Sequence, residues 1–445
     1  MLLTEKEART VTEKMLSFVK ADDASVSVGS EETAHIRFAE NAFLTSGKRE
    51  NRTANVTVWI DGKRGSSSTN DLVNDSLQQA VEQAEQIARL SPVDREYIPT
   101  LGRQTYRPTG GFVEATANIS SAARAKAVGG ILAESEKAKI IAAGFYQSQV
   151  GASAFATKNG NFGFQRETVV GLSVTGRTSD GTSSGYFARS HFDASKLDTN
   201  RIAREAIRRT LDGRNAKTIP AGIYTVILES QAVADLLGSL AGGFDARSAE
   251  EGRSPYSALE GKTKRGEKIF DERINILSDP WNAELPGAQS AQAGIPAQKI
   301  YLVKNGVLDN LVYSRFWAKR KGVEATPGPV NTIMETSGKA ATVDEMVRST
   351  KRGLLISRFW YIRSTDPRTA SLTGLTRDGV WLVENGKIQN PVKNFRFNQS
   401  IIQMLAPGNV ELIGASERVG DTNSASLLPP LKLKAFSFTS QSEAV

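Results

Sequence analysis

Residues 226–247 read VILESQAVADLLGSLAGGFDAR. The apolar run Val226-Ile227-Leu228 predicts a buried strand, and Ser230 is a residue type that caps helices. Val233, Leu236, Leu237 and Leu240 then recur at helical spacing, and Gly242-Gly243 ends the run. Strand, cap, short amphipathic helix and glycine-rich exit together make one unit. Just before it, residues 214–222 are polar and carry Pro220, which places a domain boundary there, with residues 1–215 on one side and 216–445 on the other.

Working outward toward the N-terminus, Thr4 and Glu7 have the spacing of a capping box, followed by Ala8, Val11, Met15, Phe18 and Val19 on one helical face. Segments 24–29, 33–38, 42–48 and 54–60 alternate and are rich in β-branched residues, so they read as strands. Asp61-Gly62 marks a hairpin. Ser66, Ser67 and Ser68 precede a helix, so they read as residues that cap and bend the chain and not as nucleophiles, and Asp71 is a further predicted cap. Residues 91–118 show no period and read as a surface connection. Two more helices follow, at 121–137 and about 196–212, and the second carries Arg201, Arg204, Arg208 and Arg209 on its predicted outer face. Toward the C-terminus, Asn305-Gly306 and Asn385-Gly386 predict two hairpins, with helices near 342–350 and 398–405 and a last strand over 431–438. Helices and strands alternate without a strict rhythm. That predicts an α+β fold with mixed and antiparallel sheets, flanking helices and a strand-rich C-terminal half.

Composition narrows the chemistry. The 445 residues are 39% hydrophobic and 23% charged, which is ordinary for a globular chain. The absence of cysteine excludes disulfides, thiolate metal sites and a cysteine nucleophile. The first ten residues lack a secretory pattern and no apolar run reaches membrane-spanning length, so the reading is a cytoplasmic chain that does not enter a membrane. The net charge of +8 is modest for this length and reads as solvated surface. His35 and His191 are the only histidines and neither has a ligand-spaced partner, so both read as structural. No phosphate loop, dinucleotide fingerprint or nucleophile elbow occurs. Two basic-aromatic runs, 315–321 and 351–363, could stack bases, but alternation in the second places Phe359 and Tyr361 on one face and Arg358 and Trp360 on the other. That suits core or interface better than nucleic acid.

Several segments together resemble the TldD/PmbA family, also described as modulators of DNA gyrase. They are Arg37, Asn41 and residues 61–71 in the first half, then 246–254, Gly261 and Ser278-Asp279-Pro280. Residues 331–338, 350–355, Thr373-Gly374, 383–387 and Pro391-Val392 continue the pattern. The resemblance implies a two-domain α+β protomer forming dimers that enclose a cavity. Subunits of the TldD type carry a His-Glu-x-x-x-His segment and act as zinc metallopeptidases. Subunits of the PmbA or TldE type lack the ligands and pair with a catalytic subunit that cuts peptides or unfolded proteins. Here Gly238 and Ser239 stand where the first His and the Glu would be, and Gly243 where the second His would be. The resemblance therefore implies no catalytic residue and no metal in this chain, with zinc only in a catalytic partner. Asn331, Thr373, Gly374 and Asn385 match positions near the family cavity and are candidates for a substrate groove. The alternative is a stand-alone homodimer that binds peptides or small molecules without hydrolysis.

Overall fold

The structure, a computed structural model, describes residues 2–422 and 424–442. Helix α1 (Glu5–Phe18) opens with the expected capping box, in which Thr4 Oγ1 accepts from the Glu7 N–H and the Glu7 carboxylate accepts from the Thr4 N–H. Strands β1 (Asp23–Ala39) and β2 (Ala42–Ile60) are each longer than the alternating stretches predicted. The polar residues 49–53 interrupt the apolar pattern, yet they stay extended because Arg49 pairs with Thr33 and Arg52 with Ser30 across the hairpin.

Strands β3 (Lys63–Thr69), β4 (Ile141–Thr157), β5 (Phe162–Arg177) and β6 (Ser184–His191) complete an antiparallel sheet in the order β3-β2-β1-β4-β5-β6. Helices α1 and α2 (Asn74–Leu90) cover one end of its apolar face, packing Met15, Leu77 and Val81 on Val26, Val28, Val56 and Val58. After the short α3 (Glu114–Ala117), helices α4 (Ser121–Lys137) and α5 (Thr199–Asp212) cover the other end, with Val128, Ile131, Ile202 and Ala206 on Phe38, Leu172 and Val174.

Two capping expectations fail here. Ser66–Ser68 lie in β3, where the Ser66 and Thr57 hydroxyls are 3.0 Å apart and Ser67 donates to Gln83. Asp71 does not cap α2, which starts three residues later. Its carboxylate accepts instead from the Val73 N–H and the Ser76 hydroxyl.

The chain leaves this sheet after α5 and begins a second system at β7 (Gly222–Leu228), followed by α6 (Ser230–Leu237) and the short α7 (Ala246–Glu250). Strands β8 (Ile274–Ser278), β9 (Ile300–Lys304), β10 (Val307–Leu308) and β11 (Ile333–Thr336) form a mixed sheet, which also takes in two strands near the C-terminus. The other strands roll into a barrel. They are β12 (Arg352–Asp366), β13 (Ser371–Glu384), β14 (Lys387–Pro391), β15 (Phe395–Ser400), β16 (Val410–Ile413) and, after β17 (Glu417–Val419) and β18 (Ser426–Leu428) of the mixed sheet, β19 (Leu431–Gln441).

Closure follows from pairing. β12 runs parallel to β7, β7 pairs with β19, β19 with β15 and β15 with β13, and β13 returns to β12. The inward rings of Phe359, Phe397 and Phe436 fill the interior, with centroids 4.8 Å apart for the first pair and 5.5 Å for Phe359 and Phe436. Burying each such ring contributes about 1.5–3 kcal/mol. The three Asx-Gly hairpins form as predicted: Asp61-Gly62, Asn305-Gly306 and Asn385-Gly386 all have positive φ at both positions.

The alternation expected along 358–361 does not survive. Phe359 enters the barrel, but a register shift between Trp360 and Arg363 turns Tyr361 outward with φ 55°, leaving it 65% exposed. The other basic-aromatic run is the short helix α8 (Arg315–Lys321), whose buried Trp317 donates to Glu250 while Lys321 pairs with the same carboxylate.

Candidate functional site

The N-terminal sheet meets the C-terminal half where β6 and α5 approach β13 of the barrel and β17 of the mixed sheet. Between them lies a cavity of about 550 Å³. Its floor is Glu229, Ser230 and Gln231, where β7 gives way to α6, together with Ser357 and Arg358 of β12. Its walls include Tyr186 and Arg189 of β6, Arg209 of α5 and Glu417 of β17.

A local irregularity shapes the barrel wall here. Between the Ile356–Val380 and Arg358–Arg377 pairs, one residue of β12, Ser357, faces two of β13, Asp378 and Gly379, which have φ of 55° and 145°. Such a bulge re-aims side chains. Asp378 reaches across to accept from Ser184 of β6 at 2.6 Å and pairs with Arg358 at 3.4 Å. The Arg358 guanidinium lies 4.0 Å from the centroid of the Tyr186 ring.

Arg209 is 6% exposed, which overturns its expected place on the outer face of α5. It sits seven residues after Ile202, on the same stripe, and points into the junction. A nitrogen of Arg209 lies 2.8 Å from Glu229 Oε2. That oxygen nevertheless receives no well-aligned hydrogen bond, so the contact is an ion pair without directional bonding.

Under the floor, Asp235 accepts from Gln231 Nε2 and from the Phe359 N–H, each at 2.8 Å. Burial pushes its carboxyl up to about 6, against the pull of those two bonds and of Arg358. Ser230 was expected to cap α6, but the N-cap is Glu229, and the Ser230 hydroxyl has no partner within the protein.

An adjoining pocket of about 400 Å³ shares Arg189 and Glu417 and includes His191. The Asp193 N–H donates to His191 Nδ1, and His191 Nε2 lies 3.4 Å from Glu284, which also pairs with Lys196. Burial lowers the imidazole below its ordinary value, although Glu284 opposes the shift. His35 stacks on Phe145.

The residues singled out in the sequence lie elsewhere. Helix α6 stops at Leu237, and residues Gly238–Phe244 wind as a 3₁₀ segment. At about 2 Å rise per residue, positions 238 and 243 stand roughly 10 Å apart along that axis. Gly238 is exposed with open space where a side chain would stand, and Ser239 donates its hydroxyl to the Leu236 carbonyl. Two glycines and an engaged serine do not fit a catalytic zinc. Among the described residues no group of three His, Asp or Glu side chains gathers elsewhere as a metal site.

Asn331 is spent on structure: its oxygen accepts from Ser278 and the Asp279 N–H, and its amide donates to the Asp279 and Leu285 carbonyls. Thr373 donates to the Phe397 carbonyl, and Gly374 admits the Phe397 ring, which a Cβ would meet at 2.8 Å. Asn385 is a hairpin residue. None of the four lines the 550 Å³ cavity.

A six-stranded sheet with paired helices, joined to a closed barrel and a mixed sheet, defines a class of α+β proteins whose solved members share nearly the whole chain. A protein studied as a candidate modulator of a DNA gyrase, from Thermotoga maritima, superposes with a TM-score of 0.85 at 17% identity, covering 97% of this chain and 100% of that one. TldE from Thermococcus kodakarensis gives 0.85 at 18% identity, covering 97% and 99%.

Family models agree. Residues 24–88 match domain 1 of the PmbA/TldA metallopeptidases, 114–214 the central domain and 221–440 the C-terminal domain. The chain belongs to the PmbA/TldD metallopeptidase family. Curated relatives include a metalloprotease TldD homologue from Buchnera aphidicola, 27% identical over 49% of this chain and 47% of that protein. A metalloprotease from Methanothermobacter thermautotrophicus is 25% identical over 62% of each. The matches thus span about half to three-fifths of those relatives. No helix among the described residues is long and apolar enough to cross a membrane.

Proposed function

We propose that this chain is the non-catalytic, TldE-like subunit of a two-part metallopeptidase that processes peptides or unfolded proteins in the cytoplasm. It pairs with a TldD-type subunit, which supplies the zinc and the chemistry. One observation supports the reading: the architecture matches TldE over 97% of the chain, while Gly238, Ser239 and Gly243 stand where the resemblance to TldD-type subunits would put the metal ligands and the base. Absence of side chains that bear chemistry, within an overall fold that is kept, fits a protein retained for its surfaces. The dimer would enclose the chamber in which an extended peptide pairs with strand edges.

Co-expression with the TldD-type subunit of the same organism tests the pairing. A one-to-one complex by size exclusion and light scattering supports it. Separate elution of the two chains at micromolar concentration contradicts it, and a stable homodimer in that experiment points to the stand-alone reading.

A further inference from the structure

The outer wall of the barrel carries an aromatic and cationic face beside the junction cavity. Cross-strand pairing builds it in three rows. Arg358 of β12 stands opposite Arg377 of β13, Trp360 opposite Leu375 and then Arg396 of β15, and Arg363 opposite Thr373 and then Asn398. Phe359, Thr376 and Phe397 alternate with these residues and are buried, so the rows point outward. Trp360 is 41% exposed and Tyr361 65%. The bulge that turns Tyr361 out holds it at φ 55°, a left-handed conformation that bulky residues rarely adopt. An aromatic ring is thus kept in solvent against its backbone preference.

The charge of this face is one-sided. Its three rows hold four arginines and no acidic residue. Arg358 and Arg377 lie 3.4 and 3.8 Å from Asp378, beside the bulge in β13. Arg363 and Arg396 are exposed, and neither forms an ion pair with a carboxylate among the described residues; Arg363 donates only to the neighbouring Ile362 carbonyl. Tryptophan, tyrosine and arginine are the residues most enriched where protein partners bind tightly. Charge complementarity then specifies a partner rich in carboxylates. A second copy of this chain does not meet that need, because it brings a net charge of +8. Nucleic acid is anionic too, but it needs open aromatic faces on which bases stack. Here the guanidinium groups of Arg358 and Arg377 lie 5.1 and 5.4 Å from the Trp360 ring centroid, and that of Arg363 lies 5.6 Å from the Tyr361 centroid. The two rings also meet edge-on, at 64°. Rings engaged by cations and set at an angle offer no stacking platform, whereas exposed guanidinium groups pair readily with carboxylates.

We infer that this face of the barrel is a docking surface for an acidic segment of another protein chain. Carboxylates of that segment pair with Arg363 and Arg396, and an apolar side chain between them packs against Trp360 and Tyr361. The inference rests on the barrel face alone and stands whether or not the subunit reading holds, since docking here involves neither zinc nor cleavage.

Fluorescence anisotropy with the purified full chain tests the surface. The probes are a labelled peptide of glutamates with one central leucine, its counterpart with lysines in place of the glutamates, and a short oligothymidine. Saturable binding of the acidic peptide with a Kd of ~0.1 mM or below is expected. It should weaken ~10-fold or more at ~1 M salt, where the screening length falls to ~3 Å. Trp360→Ala should weaken it ~10-fold, and Arg363→Glu with Arg396→Glu at least as much. The arginine reversals lie on exposed side chains without ion pairs and serve if Trp360→Ala fails to fold. Lys126→Glu, an exposed reversal on α4 in the N-terminal half, should leave binding within ~2-fold. No saturable binding of the acidic peptide at ~1 mM overturns the inference. So does equal binding of the lysine peptide, tighter binding of oligothymidine, binding unchanged by the arginine reversals, or an equal loss in Lys126→Glu, which would mean that the probe reads net charge alone.

Discussion

Asp235 works against the fold at neutral pH. Its carboxyl is pushed up to about 6 by burial, whereas an unfolded chain holds aspartate near 3.9. The folded state therefore binds the proton more tightly. The associated stability is complete below about pH 4 and is lost as pH rises through about 6. Arg358 is the charged neighbour that offsets part of the cost. Asp235→Asn should flatten the slope of stability between pH 4 and 7 and raise stability at pH 7.5 by ~1–3 kcal/mol, read from urea unfolding. An unchanged slope would mean that the carboxylate is already satisfied as an ion.

Gly238 offers a second test at this scale. Its backbone is helical (φ −52°, ψ −28°) and a Cβ would meet nothing within 4 Å, so Gly238→Ala should be neutral or stabilising by up to ~1 kcal/mol. A clear loss of stability would show that the glycine is needed for its backbone. Arg209 was legible in retrospect: it falls on the apolar stripe of α5, and a charged side chain there signals a buried partner. Glu229 carries no such signal, because its partner is distant in sequence and becomes a neighbour only when the two halves meet.

Elements show where pattern and pairing part. The hairpin turns and the interiors of α1 and α4 were legible because capping, Asx-Gly turns and 3.6-residue periodicity are local. The full lengths of β1 and β2, the place of Ser66–Ser68 in β3 and the closure of the barrel were not, since cross-strand hydrogen bonds decide them. The seam between α2 and β3 is a close approach: a Cβ on Gly65 would lie 2.0 Å from the Ala84 carbonyl oxygen. Gly65→Ala must therefore lift the helix, and a loss of ~1–3 kcal/mol is expected from thermal unfolding. In the barrel, Phe397→Ala removes a ring that touches Phe359 and Phe436 and should cost ~3–5 kcal/mol. Gly374→Ala should destabilise the same interior by forcing that ring aside.

At the scale of the molecule, the polar stretch around Pro220 marks where the chain passes from the N-terminal sheet to the barrel system, between Asp212 and Gly222. Family membership was carried by the order and spacing of many weak segments along nearly the whole chain, and three consecutive family models cover the same span. The junction cavity could not be read this way, because its residues come from six elements and no motif joins them. We propose that this chain shapes a peptidase without performing its chemistry. The most direct measurement is zinc-dependent cleavage of an unstructured peptide by the TldD-type subunit, by this chain and by the two together. The account predicts no cleavage by this chain alone with added zinc, and at least a ~10-fold faster rate for the pair than for the TldD-type subunit alone, equivalent to ~1.4 kcal/mol in the barrier. Zinc-dependent cleavage by this chain alone, or a partner whose rate does not change on its addition, would contradict it.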